Sequence, residues 1–125
     1  MAGNSESNIQ SRTRLAAGAK RWRLYRNNRG ALPDQNGRPV RYGLANDSKQ
    51  LGDVLKSGDL IGWRPVIITP DMVGKLIAQI VSVECKPSDW KPSENDEHYQ
   101  AQKRWADLVN REGGYAVFIT DPAQL

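Results

Sequence analysis

The chain has one cysteine and one histidine in 125 residues, and that scarcity removes whole classes of chemistry. A lone cysteine closes no intramolecular disulfide, and one Cys with one His cannot complete a zinc site. A Cys–His or Ser–His–Asp nucleophile would depend on His98, which stands in an acidic stretch without a nucleophile motif near it. Long apolar runs are missing too. No stretch of about 18 such residues is present, so no membrane span is expected. The start, Met1-Ala2-Gly3-Asn4-Ser5-Glu6, has neither a basic nor an apolar region and does not read as a signal peptide. Any chemistry then falls to carboxylates and lysines. The length suits one domain, residues 1–125, around one core.

What is present is unevenly placed charge. The net +4 hides a basic first third: residues 1–41 hold nine Lys/Arg against only Glu6 and Asp34. Residues 42–125 hold nine bases against twelve acids. A basic segment beside a mildly acidic remainder suits a polyanion-binding surface next to a site built from carboxylates. A solvated basic helix and strand would give the same composition.

Periodicity and turn residues outline the elements. Ser5 to Ala19 is expected to be helical: Ser7-Asn8-Ile9-Gln10 has capping-box form, and Ile9, Thr13, Ala16 and Ala17 recur at helical spacing. The alternation from Arg21 to Arg26 predicts a strand, broken by Asn27-Asn28-Arg29-Gly30. Residues 31–39 read as loop, because Pro33-Asp34, Asn36-Gly37 and Pro39 punctuate them. A short strand over 40–44 and one or two helical turns within 47–56 follow. Residues 59–63 and 66–69 read as strand pieces parted by Arg64-Pro65, with a turn at 70–74. Residues 75–86 form the most strand-like run and are expected to be central, with Pro87 stopping them. A polar loop containing Trp90 leads to a helix over 98–111, closed by Glu112-Gly113-Gly114, and to a last strand over 115–120. This order predicts an α/β fold, a mixed sheet with helices packed on it.

Polar residues interrupt the pattern at four places. With period two, Ile77, Val81, Val83 and Cys85 share an apolar face that is expected to be core. The opposite face turns from apolar to charged at Glu84 and Lys86, about 6.6–6.8 Å apart along the strand. An ordinary surface ion pair would explain those two residues, but charges ending an apolar strand are costly to bury without partners. The late helix has the apolar stripe Ala101, Trp105, Leu108, Val109, and Gln102 lies on that stripe. An inward glutamine must find hydrogen-bond partners, either as a structural residue or by reaching the charged strand end. Asp59 opens an apolar strand, and Glu6 begins the first helix, where the helix dipole alone favours an acid.

Taken in order, Gly58-Asp59-Leu60-Ile61-Gly62, Val83-Glu84-Cys85-Lys86, Gln102-Lys103-Arg104-Trp105 and Gly113-Gly114-Tyr115-Ala116-Val117 resemble the VRR-NUC domains. These are a branch of the PD-(D/E)XK nuclease superfamily. Arg26-Asn27-Asn28-Arg29-Gly30 and Arg41-Tyr42-Gly43 are similar to compact stand-alone phage and bacterial members. The resemblance covers about residues 6–117. Two departures are Gly58 in place of a proline before the aspartate, and Cys85 between Glu84 and Lys86. Pro70-Asp71 spells the superfamily name but stands in a turn, so Asp59 is taken as the motif aspartate.

The resemblance implies a restriction-endonuclease-like α-β-β-β-α-β core and a metal-dependent DNA endonuclease. Asp59, Glu84 and the backbone carbonyl of Cys85 would hold Mg²⁺ or Mn²⁺, with Glu6 as a further candidate. Lys86 and Gln102 would complete the catalytic set. Arg21, Arg23, Arg26, Arg29 and Arg41 would contact the DNA backbone, positioning substrate without reading sequence. Branched DNA is the implied substrate, most simply a Holliday junction cut by a homodimer, in the cytoplasm (a host's, if phage-encoded). The alternative is a catalytically idle nuclease-fold module that binds DNA within a recombination or packaging complex.

Overall fold

The computed structural model describes residues 5–125; residues 1–4, read above for a targeting signal, lie outside the described residues. The chain forms a mixed α/β structure in two compact units, Met1–Arg64 and Pro65–Leu125. No helix of the described residues is long and apolar enough to cross a membrane.

In the first unit, α1 spans Glu6–Ala19. Its cap is Ser5, whose hydroxyl accepts from the Asn8 amide at 3.1 Å, two residues earlier than the Ser7 capping box would place it. The helix closes with Trp22 N–H donating to Ala17 O and Arg21 N–H to Gly18 O. This Schellman closure puts Arg21 at φ 63°, where glycine is usual. Strand β1, Arg23–Arg26, pairs antiparallel with β4, Leu60–Trp63. Strands β2, Gly30–Pro33, and β3, Pro39–Tyr42, form a hairpin, so residues 31–39 are not the loop that their punctuation suggested. Asp34 organises the turn, its carboxylate accepting from the Asn36 and Arg38 amides at 2.8 Å, while Gly37 takes φ 77°. Asn-Gly between short extended runs is a hairpin signal, and Pro33 opposite Pro39 ends the ladder without wasting an N–H. A short helix α2, Lys49–Val54, precedes β4.

The second unit contains β5, Val81–Cys85, α3, Glu97–Arg111, and β6, Tyr115–Ile119. The strands are parallel, with Glu84 opposite Phe118, and α3 makes the crossover that parallel pairing requires. Asp96 caps α3 by accepting from the His98 and Tyr99 amides at 3.0 and 3.2 Å. Gly113, at φ 93°, ends it, with Gly114 N–H donating to Val109 O. A β-carbon on Gly114 would lie 2.6–2.7 Å from the Val109 and Ile80 side chains, so close packing demands glycine there. The Asn110 amide then exchanges two hydrogen bonds with the Ala116 backbone, fixing where β6 begins.

Two strand expectations fail. Residues 66–69 form no strand, being bracketed by Pro65 and Pro70, which cannot donate to a ladder. Of the run 75–86, only Val81–Cys85 is extended and paired, in a two-stranded sheet rather than at a sheet's centre. The core of this unit is Ala106, Val109 and Ile119. It lies on the α3 side of the chain, so the face carrying Val81, Val83 and Cys85 is exposed and Cys85 is not a core residue. Ile77, expected to share that face, lies outside the strand and is 62 % exposed.

Candidate active site

Strand alternation turns Ser82 and Glu84 toward α3, and Lys86 continues that face just past the strand end. Helical spacing sets His98, Gln102 and Trp105 on one ridge of α3 above them. The two rows meet through hydrogen bonds. Gln102 Nε2 donates to Glu84 Oε1 at 2.7 Å, and Lys86 Nζ donates to Gln102 Oε1 at 2.7 Å. Trp105 Nε1 donates to Ser82 Oγ at 2.9 Å, holding helix and strand in register one step further along. The inward glutamine of the sequence reading therefore has its partners, and they are the charged pair at the strand end.

This arrangement has a chemical consequence. Glu84 and Lys86 share no ion pair among the described residues; the neutral amide stands between them, satisfied at both ends. A carboxylate bonded to an ammonium would be partly neutralised and its lone pairs occupied. Here Glu84 keeps Oε2 without a hydrogen bond among the described residues, and Lys86 keeps N–H donors beyond the one given to Gln102. The Lys86 Nζ also lies 5.5 Å from the Trp90 ring centroid. Trp90 stacks on Phe118 at 5.6 Å and meets Tyr99 edge-on at 5.4 Å, so an aromatic wall fixes the lysine's approach. The Lys86 backbone N–H donates to Ile119 O at 2.8 Å, extending the ladder one residue past β5.

A cavity of about 270 Å³ opens beside this relay, lined by Ser82, Glu84, His98, Gln102, Trp105 and Phe118 among others. Glu84 and the carbonyl of Cys85 are hard oxygen donors, the type that Mg²⁺ and Mn²⁺ take in preference to sulfur or nitrogen. The donor types fit such an ion. Among the described residues no group of three or more His, Cys, Asp or Glu side chains gathers in a metal-holding cluster.

The remaining expected site residues belong to the first unit. Glu6 is exposed in the first turn of α1. Asp59 is exposed immediately before β4, and Asn27 holds its segment in three ways. The Asn27 amide donates to Ser57 Oγ at 2.7 Å and to Gly58 O at 2.9 Å, and its backbone N–H donates to Asp59 O at 2.8 Å. Asp71 lies in the 3-10 turn Pro70–Met72 and accepts a short hydrogen bond from the Thr69 hydroxyl.

The five arginines divide into two kinds. Arg21, Arg23 and Arg26 are exposed. Arg29 and Arg41 are half-buried and directed at Asn46, which is 2 % exposed. Arg29 Nη2 donates to Asn46 Oδ1 and Gly52 O at 3.2 and 3.1 Å; Arg41 donates to Asn46 Oδ1 and O at 2.6 and 3.0 Å. Asn46 Nδ2 in turn donates to Gly30 O and Tyr42 O, tying the hairpin down. These two arginines thus carry a structural task that their charge did not announce.

The sequence alone assigns no role to Asn27, Asn46, Ser82 or the Trp90–Tyr99–Phe118 wall. The His98–Gln102–Trp105 spacing opposite Ser82–Glu84 was the available signal for the helix–strand contact. Nothing local marked Asn46. No family model matches the chain, no curated protein is similar to it by sequence, and no solved structure matches its fold.

Proposed function

We propose that the chain is a divalent-metal-dependent endodeoxyribonuclease of the VRR-NUC type, with a PD-(D/E)XK core, hydrolysing phosphodiester bonds in branched DNA. The observation that carries this reading is the Glu84–Gln102–Lys86 relay, a carboxylate and an ammonium held close without neutralising each other. Glu84 and the Cys85 carbonyl would hold Mg²⁺ or Mn²⁺; Asp59 and Glu6 are candidate ligands on the strength of the resemblance alone. When bound, the ion supplies Lewis-acid polarisation of the phosphate and a lowered pKa for water.

The chain's own residues do the rest. Lys86 orients the attacking water and offsets charge growing on the phosphoryl oxygens. Gln102 holds Lys86 in position and keeps it from pairing with Glu84. Arg21, Arg23 and Arg26 lie along the DNA backbone; Arg29 and Arg41 shape the hairpin beside them and add positive potential. Contacts of this kind select DNA by shape and charge, which favours structure-selective cleavage. Four-way junctions are the leading substrate, and a two-fold dimer is the simplest assembly that cuts two strands symmetrically. The protein then acts in the cytoplasm, a host's if it is phage-encoded.

The test is cleavage of four-way junction, flap, splayed-arm and linear duplex DNA with Mg²⁺ or Mn²⁺. Junction cutting above linear duplex supports the reading. Equal cutting of all four overturns the substrate, and no ion-dependent cutting of any overturns the activity. Asp59→Asn and Asp71→Asn, assayed side by side, separate the motif aspartate from its look-alike: only the former is expected to lose activity.

A further inference from the structure

The face of the β1–β4 pair carries aromatic rings that the phosphate-contacting role leaves unused. The register sets Arg23 opposite Trp63 and Tyr25 opposite Ile61, so alternation places Arg23, Tyr25 and Trp63 on one face. The Tyr25 and Trp63 rings are 5.9 Å apart and tilted by 44°. Just before the strand, Trp22 has Lys20 Nζ and the Arg64 guanidinium each 5.5 Å from its ring centroid. Between α1 and β1 runs a groove of about 570 Å³ lined by Ser11, Arg14, Leu15, Trp22, Arg23 and Tyr25 among others. Tyr25 is 40 % exposed and Leu15 77 % exposed, so the groove presents ring and aliphatic surface to solvent.

The segment that forms the groove is mostly basic. From residue 5 to residue 26 stand Arg12, Arg14, Lys20, Arg21, Arg23 and Arg26, with Glu6 as the lone acid. An occupant that complements both features must be a polyanion that also offers flat aromatic faces. Duplex DNA offers the phosphates but keeps its base faces stacked inside; an unpaired strand offers both. Interleaved rings and cations are how proteins hold single strands, each base stacking on a ring while the cations track the backbone.

We propose that this groove is a base-stacking site for single-stranded DNA, with Tyr25 and Trp22 as the stacking rings and Arg14 and Arg23 on the flanking phosphates. The site stands on its own geometry. Only its meaning as substrate selection rests on the nuclease reading, where it narrows the class to branched DNA with an unpaired arm.

The experiment measures binding by fluorescence anisotropy, without divalent ions, to three probes: a short oligothymidylate, an abasic strand of equal length, and a duplex of that length. The abasic strand keeps the phosphates and removes the bases. The wild-type chain is expected to bind oligothymidylate about tenfold or more tightly than the abasic strand. Tyr25→Ser is expected to erase most of that preference and Tyr25→Phe to retain it, while Arg14→Gln weakens all three probes together. Trp22→Leu adds a second ring to the test, and Tyr25→Ser, at an exposed position, serves if that variant does not fold. Equal binding of oligothymidylate and abasic strand, duplex binding tighter than either, or an unchanged preference in Tyr25→Ser would overturn the proposal. Because no cleavage is measured, loss of the nuclease reading in the substrate panel leaves this result standing, and the reverse also holds.

Discussion

The Gln102 amide keeps Glu84 and Lys86 apart while bonding to both, so its replacement is the sharpest probe at the scale of single residues. Gln102→Leu removes the bridge, so the Glu84 carboxylate and the Lys86 ammonium each lose the hydrogen bond that positions it. Residues that orient metal ligands typically cost about 10–100-fold in metal affinity or activity when lost. The expected result is a drop of that size with a raised Mn²⁺ requirement, read from cleavage rates across a Mn²⁺ titration. Arg21 gives an independent handle, since it occupies a left-handed position at the α1 terminus. Relief of that conformation in Arg21→Gly is expected to raise stability by about 0.5–1 kcal/mol, while removal of the charge weakens DNA binding. A denaturant midpoint moving up as affinity falls would confirm that the two effects are separable; a lower midpoint would contradict the strain.

At the scale of elements, α3 is the part on which the site depends, because it carries Gln102 and closes the parallel pair β5–β6. Gly114→Ala would force a β-carbon against Val109 and Ile80. An overpacking cost of about 1–3 kcal/mol is expected from thermal unfolding. Asp96→Ala removes a cap that serves two amides and is expected to cost about 1 kcal/mol. The two long helices α1 and α3, the strand at 59–63 and the glycine stop after Arg111 were legible because each rests on local signals: a cap, a period, a turn residue. The hairpin at 31–42 was misread for a local reason as well, since Pro33, Pro39 and Asn36-Gly37 serve a tight hairpin as readily as a loop. Residues 66–69 failed differently. An apolar run has no fixed form until a partner strand pairs with it, and the prolines at 65 and 70 deny it one. Pairing decides burial too: α3 covers the Ser82–Glu84 face of β5, which leaves Cys85 outside.

For the whole molecule, the uneven charge is the property with the widest reach. Phosphate-dominated binding makes affinity fall steeply with salt. Between low and moderate salt, junction affinity is expected to drop by an order of magnitude or more, read from a log–log plot of affinity against salt concentration. A flat plot would mean that the basic first third does not meet phosphates. The relay itself was partly legible, because Gln102 broke an apolar stripe and Glu84 and Lys86 broke an apolar strand. The buried Asn46, gathering Arg29, Arg41, Gly30 and Tyr42 around it, was not. Its partners are scattered along the sequence, and no spacing rule connects them.

The most direct test of the central claim is the rate at which purified protein cuts a four-way junction in Mn²⁺, compared between the wild-type chain and Glu84→Ala. Ion-dependent cleavage by the wild type is expected, with a loss of about 100-fold or more in the variant and junction binding retained. Cleavage by Glu84→Ala at the wild-type rate would contradict it.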